Sequence, residues 1–159
     1  MLPMASHAHH SHTEHSGNLL IAEAERVLED AGEQWTAMRA DVFTALAAHD
    51  RPASAYDIAD DVGKVRGKRV AANSIYRILD LFVRTNLANR IESANAYVAN
   101  AHPGCRHDCV FLICDDCGQA EHFDDDTLTA SLREAGEARG YRQVRPVVEL
   151  RGLCSECAS

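Results

Sequence analysis

Two pairs of cysteines, Cys114-Asp115-Asp116-Cys117 and Cys154-Ser155-Glu156-Cys157, constrain this chain more than any other feature. A C-x-x-C turn brings two thiolates to one ion, and two such turns complete the tetrahedral sulfur shell that zinc prefers. The 36 residues between the pairs carry a predicted helix and strand, so one ion would tie the last strand of a domain to its beginning. Four sulfur ligands leave no open coordination position, which makes the expected site structural rather than catalytic. A rubredoxin-like iron site and free or redox-active thiols are the competing readings of the same residues. All six cysteines lie in a chain without a basic, then apolar, N-terminal export signal, so metal binding is favoured over a disulfide framework.

A chain of 159 residues, 46% of them hydrophobic, can form one core or two small ones that need help with stability. It has no run of about 18 apolar residues of the kind that spans a membrane, so a soluble, cytoplasmic protein is expected. The net charge of -8 argues at first against nucleic acid, because phosphate affinity comes largely from Lys and Arg. That average hides a segregation. Residues 51–93 carry eight basic and five acidic side chains, whereas the segments on both sides are acidic. Lys64, Arg66, Lys68, Arg69, Arg77, Arg84 and Arg90 therefore form one local positive footprint in the sequence.

Residues 1–17 hold His7, His9, His10, His12 and His15 among small polar residues and are expected to be a disordered tail. Apolar residues then recur at helical spacing from Leu20 to Ala31, with Gly32 as a stop. A second helix is predicted to start at an N-cap Thr36 and to bury Met38, Val42, Ala45 and Leu46. Ser54 and Asp57 have capping-box spacing ahead of a third helix, with the stripe Ala55, Ile58, Ala59 and Val62, which Gly63 is expected to close. In a fourth helix Ile75, Ile78, Leu79 and Phe82 share one face, while Asn73, Arg77, Asp80 and Arg84 point away from it. Strands over 87–92 and 96–99 around a turn at Ser93-Ala94-Asn95 complete a winged helix-turn-helix.

After Pro103-Gly104 the pattern changes. A strand over Val110–Ile113, a partner over Gln119–Phe123 and a helix over Thr127–Arg139 with Leu128, Leu132 and Ala135 inward are predicted. Val144, Pro146, Val148 and Leu150 then alternate as in a half-buried strand. The expected fold is thus α+β. A disordered tail over 1–17 precedes a winged-helix DNA-binding domain over 18–99 and a small α/β metal-binding domain over 100–159.

Two further groups carry chemistry. His102, Cys105, His107 and Cys109 crowd the junction, and His122 follows Cys117 by five residues; imidazole and thiolate together suit zinc. A mixed site at a domain junction can change domain orientation when it fills. The residues leave open which four of the five bind, the competing reading being surface histidines and a buried apolar Cys109. On the basic helix Arg77 can reach a guanine edge, and Asn73 and Arg84 can touch bases or phosphates. Tyr56 can meet a phosphate or a thymine methyl, with Tyr76 on the flank. Lys64, Lys68 and Arg69 are better placed to neutralise the DNA backbone.

These residues resemble the ferric uptake regulator family, and within it the zinc uptake regulators, over roughly residues 19–157. The resemblance rests on Ser54-Ala55-Tyr56-Asp57, Asn73-Ser74-Ile75-Tyr76-Arg77, and Ile91-Glu92-Ser93 followed by Asn95 and Tyr97. Further on it rests on Phe111-Leu112-Ile113-Cys114-Asp115-Asp116-Cys117-Gly118 and Gly152-Leu153-Cys154. It implies a homodimeric repressor, with the α/β part over 100–159 as its dimerisation domain, that binds a palindromic operator when zinc is plentiful. One structural and at least one regulatory zinc ion per subunit are expected. By position Tyr56 and Arg77 look like the family's base-contacting residues and His107 like its sensor histidine, while His122 stands where zinc sensors often have Glu. A wing position that is often a sensor His is Asn89 here, and the hinge position that often holds Cys lies close to Asn100, so His102 or Cys105 would substitute.

The expected function is a non-enzymatic, zinc-responsive repressor of zinc-uptake genes, with double-stranded DNA and a second copy as its partners. An iron or peroxide sensor of the same family, a zinc buffer and a thiol-redox enzyme are the alternatives. Cysteine among the sensor candidates favours zinc over iron, because thiolate is the softer ligand.

Overall fold

The computed structural model describes residues 16–104 and 108–159. The histidine-rich stretch expected to be disordered lies, but for its last two residues, outside them, as do Cys105 and His107. Helix α1 (Asn18–Asp30) buries Leu20, Ala24 and Leu28 at four-residue spacing. Helix α2 (Ala37–Ala47) starts at Thr36, whose hydroxyl accepts from the backbone N–H of Arg39 at 3.3 Å. Helix α3 (Ala55–Arg66) opens on a complete capping box: Ser54 Oγ accepts from Asp57 N at 3.1 Å, and the Asp57 carboxylate accepts from Ser54 N at 3.0 Å. Gly63 does not end this helix. The stop is Gly67, in the left-handed conformation at φ 67° that lacks a Cβ penalty only in glycine. Gly63 instead allows a close approach, since a Cβ there would lie 3.1 Å from the carbonyl oxygen of Lys68.

Helix α4 (Ala72–Arg84) buries Ile75, Leu79, Leu81 and Phe82 and leaves Asn73, Arg77, Asp80 and Arg84 exposed. The core between the helices is centred on Phe43 and Phe82, whose rings meet edge to face at 5.7 Å, with Trp35 stacked on Phe82 at 6.5 Å. Phe43 is fully buried and was not among the residues expected inside α2. Strands β1 (Ala88–Ile91) and β2 (Ala96–Ala99) pair antiparallel around a single 3-10 turn, Glu92–Ala94. β2 is held to the start of α3 by two backbone hydrogen bonds between Tyr97 and Ala53, at 2.8 and 2.9 Å. Helix-turn-helix and wing thus share one core.

A second sheet has the order β4-β3-β5, formed by β3 (Cys109–Cys114), β4 (Ala120–Asp124) and β5 (Val148–Gly152). β3 runs antiparallel to β4 and parallel to β5. The parallel pairing needs a crossover, which helix α5 (Asp126–Glu137) supplies, capped by Asp125 accepting from Leu128 N at 2.9 Å. Two expectations are corrected here. Leu128, Leu132 and Ala135 do not point inward within one chain: Leu128 and Leu132 stay 40% and 43% exposed. α5 packs instead through Thr129, which is buried, and Gly136, where a Cβ would come within 3.1 Å of Val144. The last strand also starts only at Val148, because Pro146 has no N–H for a ladder and Val144 is engaged against α5.

The wing lies on one face of this second sheet. Ile91, Phe111 and Ile113 form a small core there, with Val98, Cys109 and Ala120 packed around it. No helix of the described residues is long and apolar enough to cross a membrane.

Candidate metal centre and nucleic-acid interface

Adjacent ends of β3 and β5 build the four-cysteine cluster. Cys114 is the last residue of β3 and is buried; Cys117 follows in a turn made possible by Gly118 at φ 74°. Because β5 runs parallel to β3 with Cys114 opposite Gly152, the second C-x-x-C leaves the sheet at the same end as the first. Asp115 N donates to Gly152 O at 2.8 Å, and the Arg151 guanidinium grips the Asp115 carboxylate at 2.6 Å, which fixes one turn against the other.

Cys114, Cys117, Cys154 and Cys157 place their four sulfurs within 4.8 Å of one another, with Cys117 and Cys154 at 3.9 Å. Zinc–sulfur bonds of about 2.3 Å in a tetrahedron separate sulfurs by roughly 3.8 Å, so the cluster has the dimensions of a four-thiolate zinc site. Its electrostatics fit as well. Backbone N–H groups of Cys117 and then Cys154 draw the Cys114 thiol down to about 6. Hydrogen bonding to the neighbouring Cys154 sulfur pushes Cys157 up. Metal binding to thiols releases their protons, and the depressed Cys114 thiol is the one most easily converted to a thiolate ligand. The four are the one group of three or more metal-capable side chains among the described residues.

Of the second set of candidates, Cys105 and His107 lie outside the described residues. His102, in the segment after β2, is buried, and its ring stands 5.7 Å from that of His122 in β4. His122 is opposite Phe111 in register, with the two rings 6.2 Å apart. Cys109 is on the same sheet face, opposite Asp124, and burial with help from that carboxylate pushes its thiol up to about 11. The structure thus brings His102 and His122 together at the seam between wing and sheet and sets Cys109 on the same face.

The basic residues of 51–93 do not all stay available. Arg66 is bound to Asp41 at 2.8 Å, and Arg90 to Asn95 at 2.9 Å and Glu92 at 3.4 Å. Lys64, Lys68, Arg69, Arg77 and Arg84 are exposed. Tyr56 is 65% exposed at the start of α3, its ring edge-on to that of Tyr76 at 6.2 Å. A groove between α3 and α4 is lined by Tyr56, Lys64, Lys68, Arg69 and Ala72, with one carboxylate, Asp60, among three cations. Its chemistry, cations around an aromatic edge beside an exposed helix carrying Asn73 and Arg77, is that of a surface for a duplex backbone and its major-groove edges.

Three contributors were hidden in the sequence. Glu149 of β5 reaches the wing turn, and Asn86 and Asn100 bind the segment between the two sheets. Each reads locally as a polar surface residue, and none carries a signal for its distant partner.

A helix-turn-helix with a two-stranded wing, packed on a sheet clasped by four thiols, defines a winged-helix protein with a metal centre in its C-terminal part. The chain belongs to the ferric uptake regulator family, whose model matches residues 30–151. It is 25% identical over 139 residues to the zinc uptake regulation protein of Escherichia coli K12, covering 87% of this chain and 81% of that protein. Identity to the zinc uptake regulation protein of Mycobacterium tuberculosis H37Rv is 26% over 130 residues, covering 81% and 98%. Among solved structures it is similar to holo XcZur, with a TM-score of 0.78 and 32% identity over 89% of this chain and 99% of the other. A zinc uptake regulator complexed with zinc and DNA matches with a TM-score of 0.81 and 25% identity, over 87% and 93%.

Proposed function

We propose that this chain is a zinc-responsive DNA-binding regulator that represses zinc-uptake genes, acting as a homodimer on a palindromic operator. The observation that carries the reading is the meeting of His102 and His122, 5.7 Å apart, at the seam between a winged helix with an exposed cationic face and a sheet closed by four cysteines. An ion held there by His102 and His122, with Cys105 and His107 completing the shell and Cys109 as the alternate, bears on the relative orientation of the two parts. Cys114, Cys117, Cys154 and Cys157 hold a second, structural zinc.

The working units in this reading are the winged helix over 18–99 and the metal-binding part over 100–159. Leu112 and Leu150 lie opposite one another on β3 and β5 and remain 40% and 46% exposed. Leu112 and Leu150 on the sheet, and separately the exposed Leu128 and Leu132 on α5, are the apolar residues left for a second copy to cover. Arg77, Asn73, Tyr56 and Tyr76 meet bases or sugars, and Lys64, Lys68 and Arg69 meet phosphates; no catalysis is involved. Relatives named as zinc uptake regulators and a related complex with zinc and DNA support zinc over iron as the signal.

The deciding experiment is DNA binding titrated with zinc, iron and manganese on the same protein, using duplex selected by the metal-loaded chain from a random pool. Tight, salt-dependent binding that appears with zinc is expected. Affinity unchanged by saturating zinc would sink the sensor reading and favour a zinc buffer; a response to iron alone would move the chain to the iron-sensing branch.

A further inference from the structure

Glu149 joins two parts of the molecule that are far apart in sequence. Its carboxylate accepts from the backbone N–H of Glu92 at 2.5 Å and from that of Ser93 at 3.1 Å. Those two N–H groups open the 3-10 turn at the tip of the wing and have no partner within that turn. The donors belong to the β1–β2 hairpin and the acceptor to β5, so this is a charge-assisted bridge between wing and second sheet. Its position in the sheet is as informative as its bonds. Glu149 is opposite Phe111, and Phe111 is opposite His122. One cross-strand row therefore runs from His122 through Phe111 to Glu149, on the face against which Ile91 of the wing packs.

We propose that Glu149 is a positioning residue for DNA binding. It fastens the wing tip to the metal-binding part, so that the orientation favoured by an ion at the His122 end of the row is the orientation in which the wing and α4 are presented. Neither an apolar seam nor a flexible linker supplies such a fixed angle. Apolar packing tolerates sliding, whereas two directed hydrogen bonds to one carboxylate admit one arrangement. The inference rests on the zinc-responsive DNA-binding reading for its consequence, and on geometry alone for the bridge itself.

Two measurements on the full-length, zinc-loaded protein test it: amide exchange at Glu92 and Ser93 followed by NMR, and affinity for the selected duplex with and without zinc. Glu149→Ala should keep the wild-type zinc content and dimeric state while Glu92 and Ser93 exchange at least about tenfold faster, the factor that corresponds to about 1.4 kcal/mol of lost protection. Its zinc-loaded DNA affinity should fall about tenfold towards the zinc-free value, with the zinc-free affinity unchanged; a general loss of stability would lower both. Glu149→Gln, which keeps one acceptor oxygen, should fall between, and Ser93→Pro should add little to Glu149→Ala. Unaltered exchange in Glu149→Ala overturns the bridge. Faster exchange with zinc-dependent affinity within twofold of wild type overturns the positioning role and leaves the regulator reading intact. If wild-type protein selects no duplex, the regulator reading and with it the positioning role fall, while exchange still decides the bridge.

Discussion

The side-chain amide of Asn100 donates to the backbone carbonyl of Asn86 at 2.8 Å, and the amide of Asn86 donates to the carbonyl of Pro103 at 3.1 Å. Asn100 Oδ1 also accepts from His102 N at 2.9 Å, and Asn100 N donates to Leu87 O at 2.9 Å. The chain leaving the wing is thereby sewn back onto the end of α4, with His102 set two residues beyond the stitch. Asn100→Ala strands the half-buried Asn86 carbonyl and the buried His102 N–H, and should cost about 1–3 kcal/mol of stability, read as a shift of the denaturation midpoint. It should also weaken zinc-dependent DNA binding through His102.

The four-cysteine site and the proposed sensor site should separate by mutation. Cys114→Ser removes one ligand of a closed four-thiolate cluster and should unfold or monomerise the C-terminal part, as should strong chelation of the wild type. His107→Ala should leave a stable dimer of normal thermal midpoint that no longer tightens on DNA with zinc. Size-exclusion chromatography with metal analysis distinguishes them, and equal loss of folding in both would mean that the structural and sensory roles have been assigned wrongly.

Arg77, exposed on α4, should lose about 1–3 kcal/mol of specific DNA affinity on replacement by Ala if it reads a base edge bidentately. Lys68→Ala should weaken binding to all sequences alike and lower the salt slope by about one ion. Competition titrations at two or more salt concentrations tell the two apart.

The capping box makes a pH prediction. Hydrogen bonds from the Ser54 backbone and hydroxyl hold the Asp57 carboxyl below its usual value. Its folded pKa is therefore lower than its unfolded one, so the stabilisation is complete above the ordinary carboxylate range and is lost as pH falls through the lowered folded value. Thermal midpoints measured from neutral to acid pH should fall less steeply for Asp57→Asn, which cannot protonate in that range, than for wild type.

Gly67 caps α3 at φ 67° with open space around its missing side chain. Gly67→Ala should cost roughly 1–2 kcal/mol from backbone conformation alone, whereas Gly67→Asn should cost less. Chemical denaturation of the three proteins provides the comparison.

The helices and the wing were legible because their signals are local: a cap such as Thr36 or Ser54 and a stripe such as Ile75, Leu79 and Phe82 lie within a few residues of one another. The four cysteines were legible for the opposite reason, since their spacing implies a shared ion whatever lies between. Gly63 and Gly67 show where this fails. Gly63 follows Val62 and Gly67 follows Arg66, each a position where a helix can stop, and only the approach of Lys68 to one and the left-handed backbone of the other assign the stop. Leu128 and Leu132 mislead differently. Their periodicity correctly reports an apolar face on α5, but periodicity does not say whether that face is covered by the same chain. Glu149 was out of reach altogether, because its partners at Glu92 and Ser93 are defined only once β5 has paired with β3.

That pairing also sets an order of events. The middle strand of the second sheet, β3, acquires its antiparallel neighbour almost at once during synthesis, but its parallel neighbour only after α5 has been made. Until then one edge of β3 is open and Cys114 and Cys117 form half a binding site. The wing has no Glu149 to meet it. Completion of the four-cysteine cluster, closure of the sheet and the arrival of Glu149 beside the wing thus all depend on β5, the last element made. A nascent chain short of β5 should behave as an independent winged helix trailing an unfinished hairpin, exposed to mispairing along that edge.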